Sequence, residues 1–268
     1  MILDAPFAAP GLLAMLAVAA YAVAAWPAGQ MARWASWALT LGWLAHALLL
    51  VLDVSGLGRA DGVPRLGFGP VLSITVWLVL AVHAVESRWL PLPTVRRALA
   101  VAGALAVLLA LAFPGDWRLQ SSNAWAPLHW LLGVGSYGLF GAAVLHAHWL
   151  DRAEQRLRHN AGGAAAASGM PLLRLERLTF RFVQAGFVVL SAALVLGVAT
   201  AGHLRVDHKT VFSLLGWAVF AALLAGRHWR GWRGRRATRW LYAGAVLLLL
   251  AYAGSRFVFE VVLGRSAA

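Results

Sequence analysis

The sequence predicts an all-α, polytopic membrane protein with about eight transmembrane helices, and three observations predict it. The 268 residues are 61% hydrophobic and only 12% charged, with a mean hydropathy of +0.73, whereas a soluble domain carries about a quarter charged residues. The apolar residues gather into runs of about 17–25, the length that crosses a hydrocarbon core. The net charge of +13 comes from arginines clustered in the short segments between those runs. That placement orients membrane helices, and it argues against a nucleic-acid partner, which a basic chain would otherwise suggest. The chain has no cysteine, which excludes disulfides, thiolate metal sites and dithiol chemistry.

The runs lie at roughly 7–26, 35–52, 69–87, 97–113, 126–150, 180–200, 209–226 and 239–263, and residues 1–268 are read as a single transmembrane domain. The first run, Phe7 to Trp26, follows Asp4 with no basic stretch before it, so a retained helix is expected rather than a cleaved signal. The second carries His46 and reaches Asp53, seven residues on. The third ends before Arg88 and the Pro91-Leu-Pro93 break, and Pro114-Gly115 closes the fourth. The fifth opens near His129 and continues through Gly133, Gly135, Gly138 and Gly141, a small-residue spacing that lets helices approach closely. The connection 151–179 is the longest, and Asn160 to Gly169 within it reads as a flexible linker. His203, Asp207 and His208 occupy the connection before the seventh run. That run ends in the arginine cluster Arg227 to Arg239, and the eighth holds Arg256 and Glu260 at helical i, i+4 spacing.

Fifteen of the 23 basic residues fall in alternate connections, at Arg33, Arg88–Arg97, Arg152–Arg177 and Arg227–Arg239, and six on the opposite side. The positive-inside rule then puts the odd connections in the cytoplasm and both termini outside. Many of the 14 tryptophans sit at run ends, where an amphipathic ring suits the headgroup zone.

Ionisable residues inside a membrane are costly, so each is a functional candidate. Nine histidines are present. His46, His129, His203 and His208 fall toward the outer side and His83, His146, His148, His159 and His228 toward the cytoplasmic side. Neutral imidazole suits an axial position on haem iron, a proton relay or a hydrogen bond to a neighbouring helix, and the residues alone leave these open. His146 and His148, two apart on a helix, point in different directions and make a poor chelate. Asp53 could orient His46 or mark the interface. Arg256 could pair with Glu260 or meet an anionic group such as a haem propionate. No phosphate loop, nucleophile–base pair or intramembrane carboxylate pair is present, and no independent catalytic activity is expected.

Several segments resemble the cytochrome c assembly family. Pro127-Leu-His129-Trp-Leu-Leu-Gly-Val-Gly-Ser136-Tyr137 is similar to that family's histidine-to-Ser-Tyr segment. Asp207-His-Lys209-Thr-Val-Phe is similar to its Asp-Pro-Lys-Glu segment, and Gly231-Trp-Arg-Gly-Arg-Arg236 to its Gly-Trp-x-Gly-x-Arg loop. Ala251-Tyr-Ala-Gly-Ser-Arg-Phe-Val258 looks most like the YpjD branch of the CcsA/HemX-like group. The resemblance implies a bacterial inner-membrane protein that handles haem at the outer face, with His129 as an external ligand and other cytochrome c assembly proteins as partners. Three features depart from the family. Ala225 stands where a membrane histidine is expected, no histidine falls near Gly264-Arg265, and Ala199 to Val206 replaces a tryptophan-rich segment. His46, His203 or His208 would then be the second ligand, with Arg256 at a propionate. The alternatives are a membrane partner of the HemX kind without haem, or a proton-coupled transporter.

Overall fold

Helices account for every regular element among the described residues, which in this computed structural model are 5–26, 32–57, 67–87, 93–114, 125–159, 172–200 and 207–254. There are eight: α1 (Ala5–Ala25), α2 (Ala32–Ser55), α3 (Phe68–Glu86), α4 (Pro93–Ala112), α5 (Ala126–His159), α6 (Leu172–Thr200), α7 (His208–Arg230) and α8 (Gly234–Leu249), the last running into a π-turn at Leu250–Gly254. Six of them, α2 to α7, are long and apolar enough to cross a membrane. The protein is a multi-pass membrane protein, and a lipid bilayer is its surroundings. The helices fall into two compact units, α1–α4 and α5–α8.

In the first unit α1 packs on α2 and α4, and α3 on α2 and α4. The face of α1 turned to its neighbours is built from Ala14, Ala17, Ala20, Tyr21 and Ala24, all buried. This small-residue stripe brings backbones together where no hydrophobic force between helices operates, because lipid is as apolar as leucine. Leu12, Met15, Leu16 and Val23 point the other way and are exposed, as a lipid-facing surface requires. Trp43 of α2 and Trp77 of α3 stack with centroids 4.8 Å apart. Each donates its indole N–H to the other's carbonyl, at 3.3 and 3.1 Å.

In the second unit the core is Phe140, Ala143 and Ala147 of α5 with Phe180, Val183 and Leu190 of α6, Phe220 and Leu223 of α7, and Leu241 and Leu248 of α8. Phe140 and Phe220 stack at 3.9 Å. The tight glycine sockets here are Gly186, whose Cβ would lie 3.0 Å from Phe140, Gly244, 2.8 Å from Phe220, and Gly216, 2.8 Å from Leu248. The α5 glycines behave differently: a Cβ on Gly133 would meet open space, and one on Gly135 would make ordinary contact with Val189 at 4.0 Å. A glycine admits a neighbour only where a side chain is aimed at it, which spacing alone does not reveal.

Several helix boundaries differ from the sequence expectation. Residues 151–159 and 172–179, expected in a connection, are helical. Apolarity ends near residue 150, but the Asp, Arg, Glu, Gln and Leu that follow include good helix formers, so the helix outlasts its apolar stretch. The Asp151 carboxylate accepts hydroxyl hydrogens from Thr238 at 3.0 Å and Tyr242 at 2.9 Å, tying this extension to α8. The linker residues 160–169 lie outside the described residues. The eighth run, expected over 239–263, starts earlier, at Gly234, and turns from α to π bonding at Leu250.

The loop joining α7 to α8 explains the Gly-Trp-x-Gly pattern. Gly231 has φ +62° and Gly234 φ +56°, in the left-handed region glycine enters without penalty. The Gly231 N–H and the Trp232 N–H both reach back to the Gly226 carbonyl, the latter at 3.2 Å, closing the helix on the left-handed glycine. The Trp232 ring rests where a Gly226 Cβ would be, 2.5 Å from it, with Arg236 4.2 Å from the ring centroid. Arg227 pairs with Glu176 of α6 at 2.7 Å and sits 3.7 Å from the Phe180 centroid.

Candidate functional site

His129 lies in the first turn of α5 and is half-buried. Its Nδ1 is 2.8 Å from the Ala193 carbonyl oxygen of α6. A carbonyl only accepts, so Nδ1 carries the proton and donates, and the neutral ring then has its lone pair on Nε2. The Cε1 edge of the ring comes close to α6 because residue 197 has no side chain: a Cβ there would be 2.8 Å from Cε1. An imidazole whose Nδ1–H is committed to a carbonyl is in the form that ligates metals through its other nitrogen. Two turns on, Ser136 donates to the Gly133 carbonyl at 2.7 Å, and Tyr137 donates to the Leu248 carbonyl at 2.7 Å. The Ser-Tyr pair therefore stiffens α5 and pins it to α8 just before the π-turn.

His46 is in the other unit and is closed. It is 1% exposed, its Nδ1 lies 3.1 Å from the Tyr21 hydroxyl, and its Nε2 lies 2.7 Å from the Ser73 hydroxyl. Both ring nitrogens are engaged, so ligation by His46 requires one of these bonds to open. Tyr21 and Ser73, rather than Asp53, hold the ring. Tyr21 is itself clasped between two glycines, a Cβ on Gly42 falling 2.9 Å and one on Gly103 2.8 Å from its ring.

The remaining candidates are dispersed. His208 is exposed in the first turn of α7, which Asp207 caps by accepting the Thr210 N–H at 2.8 Å. Partial burial alone would raise the Asp207 pKa, but the Thr210 hydrogen bonds and the Lys209 charge outweigh it and hold the carboxyl below its ordinary range. His146 is buried, with Nδ1 2.7 Å from the Ala142 carbonyl, while His148 is exposed, as their spacing requires. His228 is exposed among the arginines. His203, Arg256 and Glu260 lie outside the described residues. Among the described residues, no group of three or more His, Asp or Glu gathers to hold a metal ion. Sequence reasoning did not find Tyr21, Ser73, Gly197 or the Ala193 carbonyl. Gly197 left a faint signal as a glycine inside an apolar run, and the carbonyl left none.

Fold and site define a multi-pass helical membrane protein with one imidazole oriented at a helix start and another sealed inside the bundle. The family model for "Cytochrome C assembly protein" matches residues 66–263, and the chain belongs to that family. It is 30% identical over 242 residues to the inner membrane protein YpjD of Escherichia coli K12, covering 87% of this chain and 89% of that one. It is also 30% identical over 237 residues to an uncharacterized 28.8 kDa protein of Azospirillum brasilense, covering 85% of each. A shorter likeness, 31% over 108 residues, is to the cytochrome c biogenesis protein CcsA of Gloeobacter violaceus, covering 36% of this chain and 32% of that one. No solved structure matches the chain.

Proposed function

We propose that this protein binds haem, or holds it in transit, at the outer face of a bacterial inner membrane in cytochrome c biogenesis, with His129 as an iron ligand. The observation that carries the proposal is the contact His129 makes: its Nδ1 is 2.8 Å from the Ala193 carbonyl oxygen, which the neutral ring makes by donating Nδ1–H and keeping its lone pair on Nε2. The family, and relatives named for the inner membrane and for cytochrome c biogenesis, support the setting. Haem, when bound, supplies an iron that accepts an imidazole nitrogen and two carboxylates that pair with cations. His203 and His208 are the first choices for a second ligand and Arg256 for a propionate. His46 ranks behind them because both its nitrogens are engaged. Both termini face outward, and other cytochrome c assembly proteins are the partners.

A second proposal, a membrane partner that holds no haem, is favoured by Ala225 at the expected histidine position and by the closed His46. Absorption spectra of the purified protein with added haemin separate the two. Haem binding gives a Soret band in wild type that is weakened or shifted in His129→Ala. No bound haem in either protein sinks the haem proposal and leaves the partner.

A further inference from the structure

We infer that α6 is the positioning element for His129: the Ala193 carbonyl sets which ring nitrogen holds the proton, and the bare Gly197 backbone sets where the ring lies. The inference rests on the haem proposal for its consequence, though not for its geometry. The opposite tautomer would place the Nδ1 lone pair against a carbonyl lone pair at 2.8 Å, which is repulsive, so the contact selects Nδ1–H. The acceptor carbonyl of Ala193 and the ring seat at Gly197 lie one helical turn apart on α6. A Cβ at residue 197 would fall 2.8 Å from Cε1, 3.2 Å from Nδ1 and 3.7 Å from Nε2. It would strike the ring edge between the two nitrogens, so the imidazole must shift away from α6 and loosen its bond to Ala193. That bond has an electronic effect too. A carbonyl accepting from Nδ1–H pushes electron density toward Nε2 and makes it a stronger donor to a metal. Gly197 and Ala193 thus act on a ligand through His129 without touching it.

Three full-length proteins test this in detergent with haemin as the probe: wild type, Gly197→Ala and His129→Ala, each with its melting temperature recorded. Gly197→Ala is expected to keep a Soret band and to bind haemin about tenfold more weakly. Its ferrous iron–imidazole stretch should fall in frequency and its midpoint potential should become more positive, as a weaker donor dictates. These two readouts would not move if Gly197 served packing alone. If His129→Ala loses haem while Gly197→Ala matches wild type in affinity, stretch and potential, the positioning role is overturned and the haem proposal stands. If His129→Ala binds haemin like wild type, the haem proposal fails. The positioning role is then decided without haem, by nitrogen NMR of histidine-labelled wild type, with the His129 signal assigned by its loss in His129→Gln. A protonated Nδ1 with bare Nε2 supports it, and a protonated Nε2 overturns it. The same spectrum decides the matter should Gly197→Ala fail to fold.

Discussion

At the scale of single residues, two imidazoles with the same intrinsic chemistry have been given opposite circumstances. His46 has every hydrogen-bonding atom occupied in a site that excludes water. Removing one partner strands the other, and a buried donor or acceptor left alone costs about 1–3 kcal/mol. Ser73→Ala and Tyr21→Phe should therefore each lower the melting temperature of the detergent-purified protein. Their effects should be non-additive, because both act through one ring; simple additivity in the double variant would show that the ring is not shared. Neither partner was legible in the sequence. Serine and tyrosine are common in apolar runs, and nothing in their spacing from His46 marks them. His129 was legible through its surrounding pattern, but its acceptor was not, since a backbone carbonyl is the same at every position.

At the scale of elements, α7 has both ends finished by local chemistry. Asp207 caps its start, and Gly231 in the left-handed region closes its end. Asp207→Ala should cost about 1 kcal/mol, the usual worth of an N-cap, read as a lower melting temperature. The sign of its pH dependence follows from the lowered pKa. The folded protein holds the carboxylate more firmly than the unfolded chain, so the contribution is complete above the ordinary carboxylate range. It fades as pH falls below that range, through the folded value. The gap between wild type and Asp207→Ala should thus narrow in acid; a gap that widened would refute the cap. Spans were the most legible elements, because a bilayer demands long apolar runs. Helical ends such as 151–159 were hidden, because an apolarity criterion stops at the lipid edge while hydrogen bonding continues.

At the scale of the molecule, the uneven count of arginines between the runs gives an expected membrane orientation that labelling can test. Because the chain has no cysteine, a single introduced cysteine reports its own location. In intact cells, a membrane-impermeant maleimide should label Ser121→Cys and spare Ser168→Cys, and permeabilisation should expose the latter. The reverse pattern would invert the membrane orientation and with it the outer-face haem proposal.

The rings that rest on bare glycines carry a consequence for how such a chain changes over generations. Tyr21 with Gly42 and Gly103, Phe140 with Gly186, Phe220 with Gly244, and Trp232 with Gly226 are each a lock cut to one key. A methyl added to the glycine collides with a ring that has nowhere to go, and a smaller ring leaves a hollow in the bundle. Neither member can drift alone, so the two halves of each pair are inherited as a single character. Lineages that alter one should be found to have altered its mate.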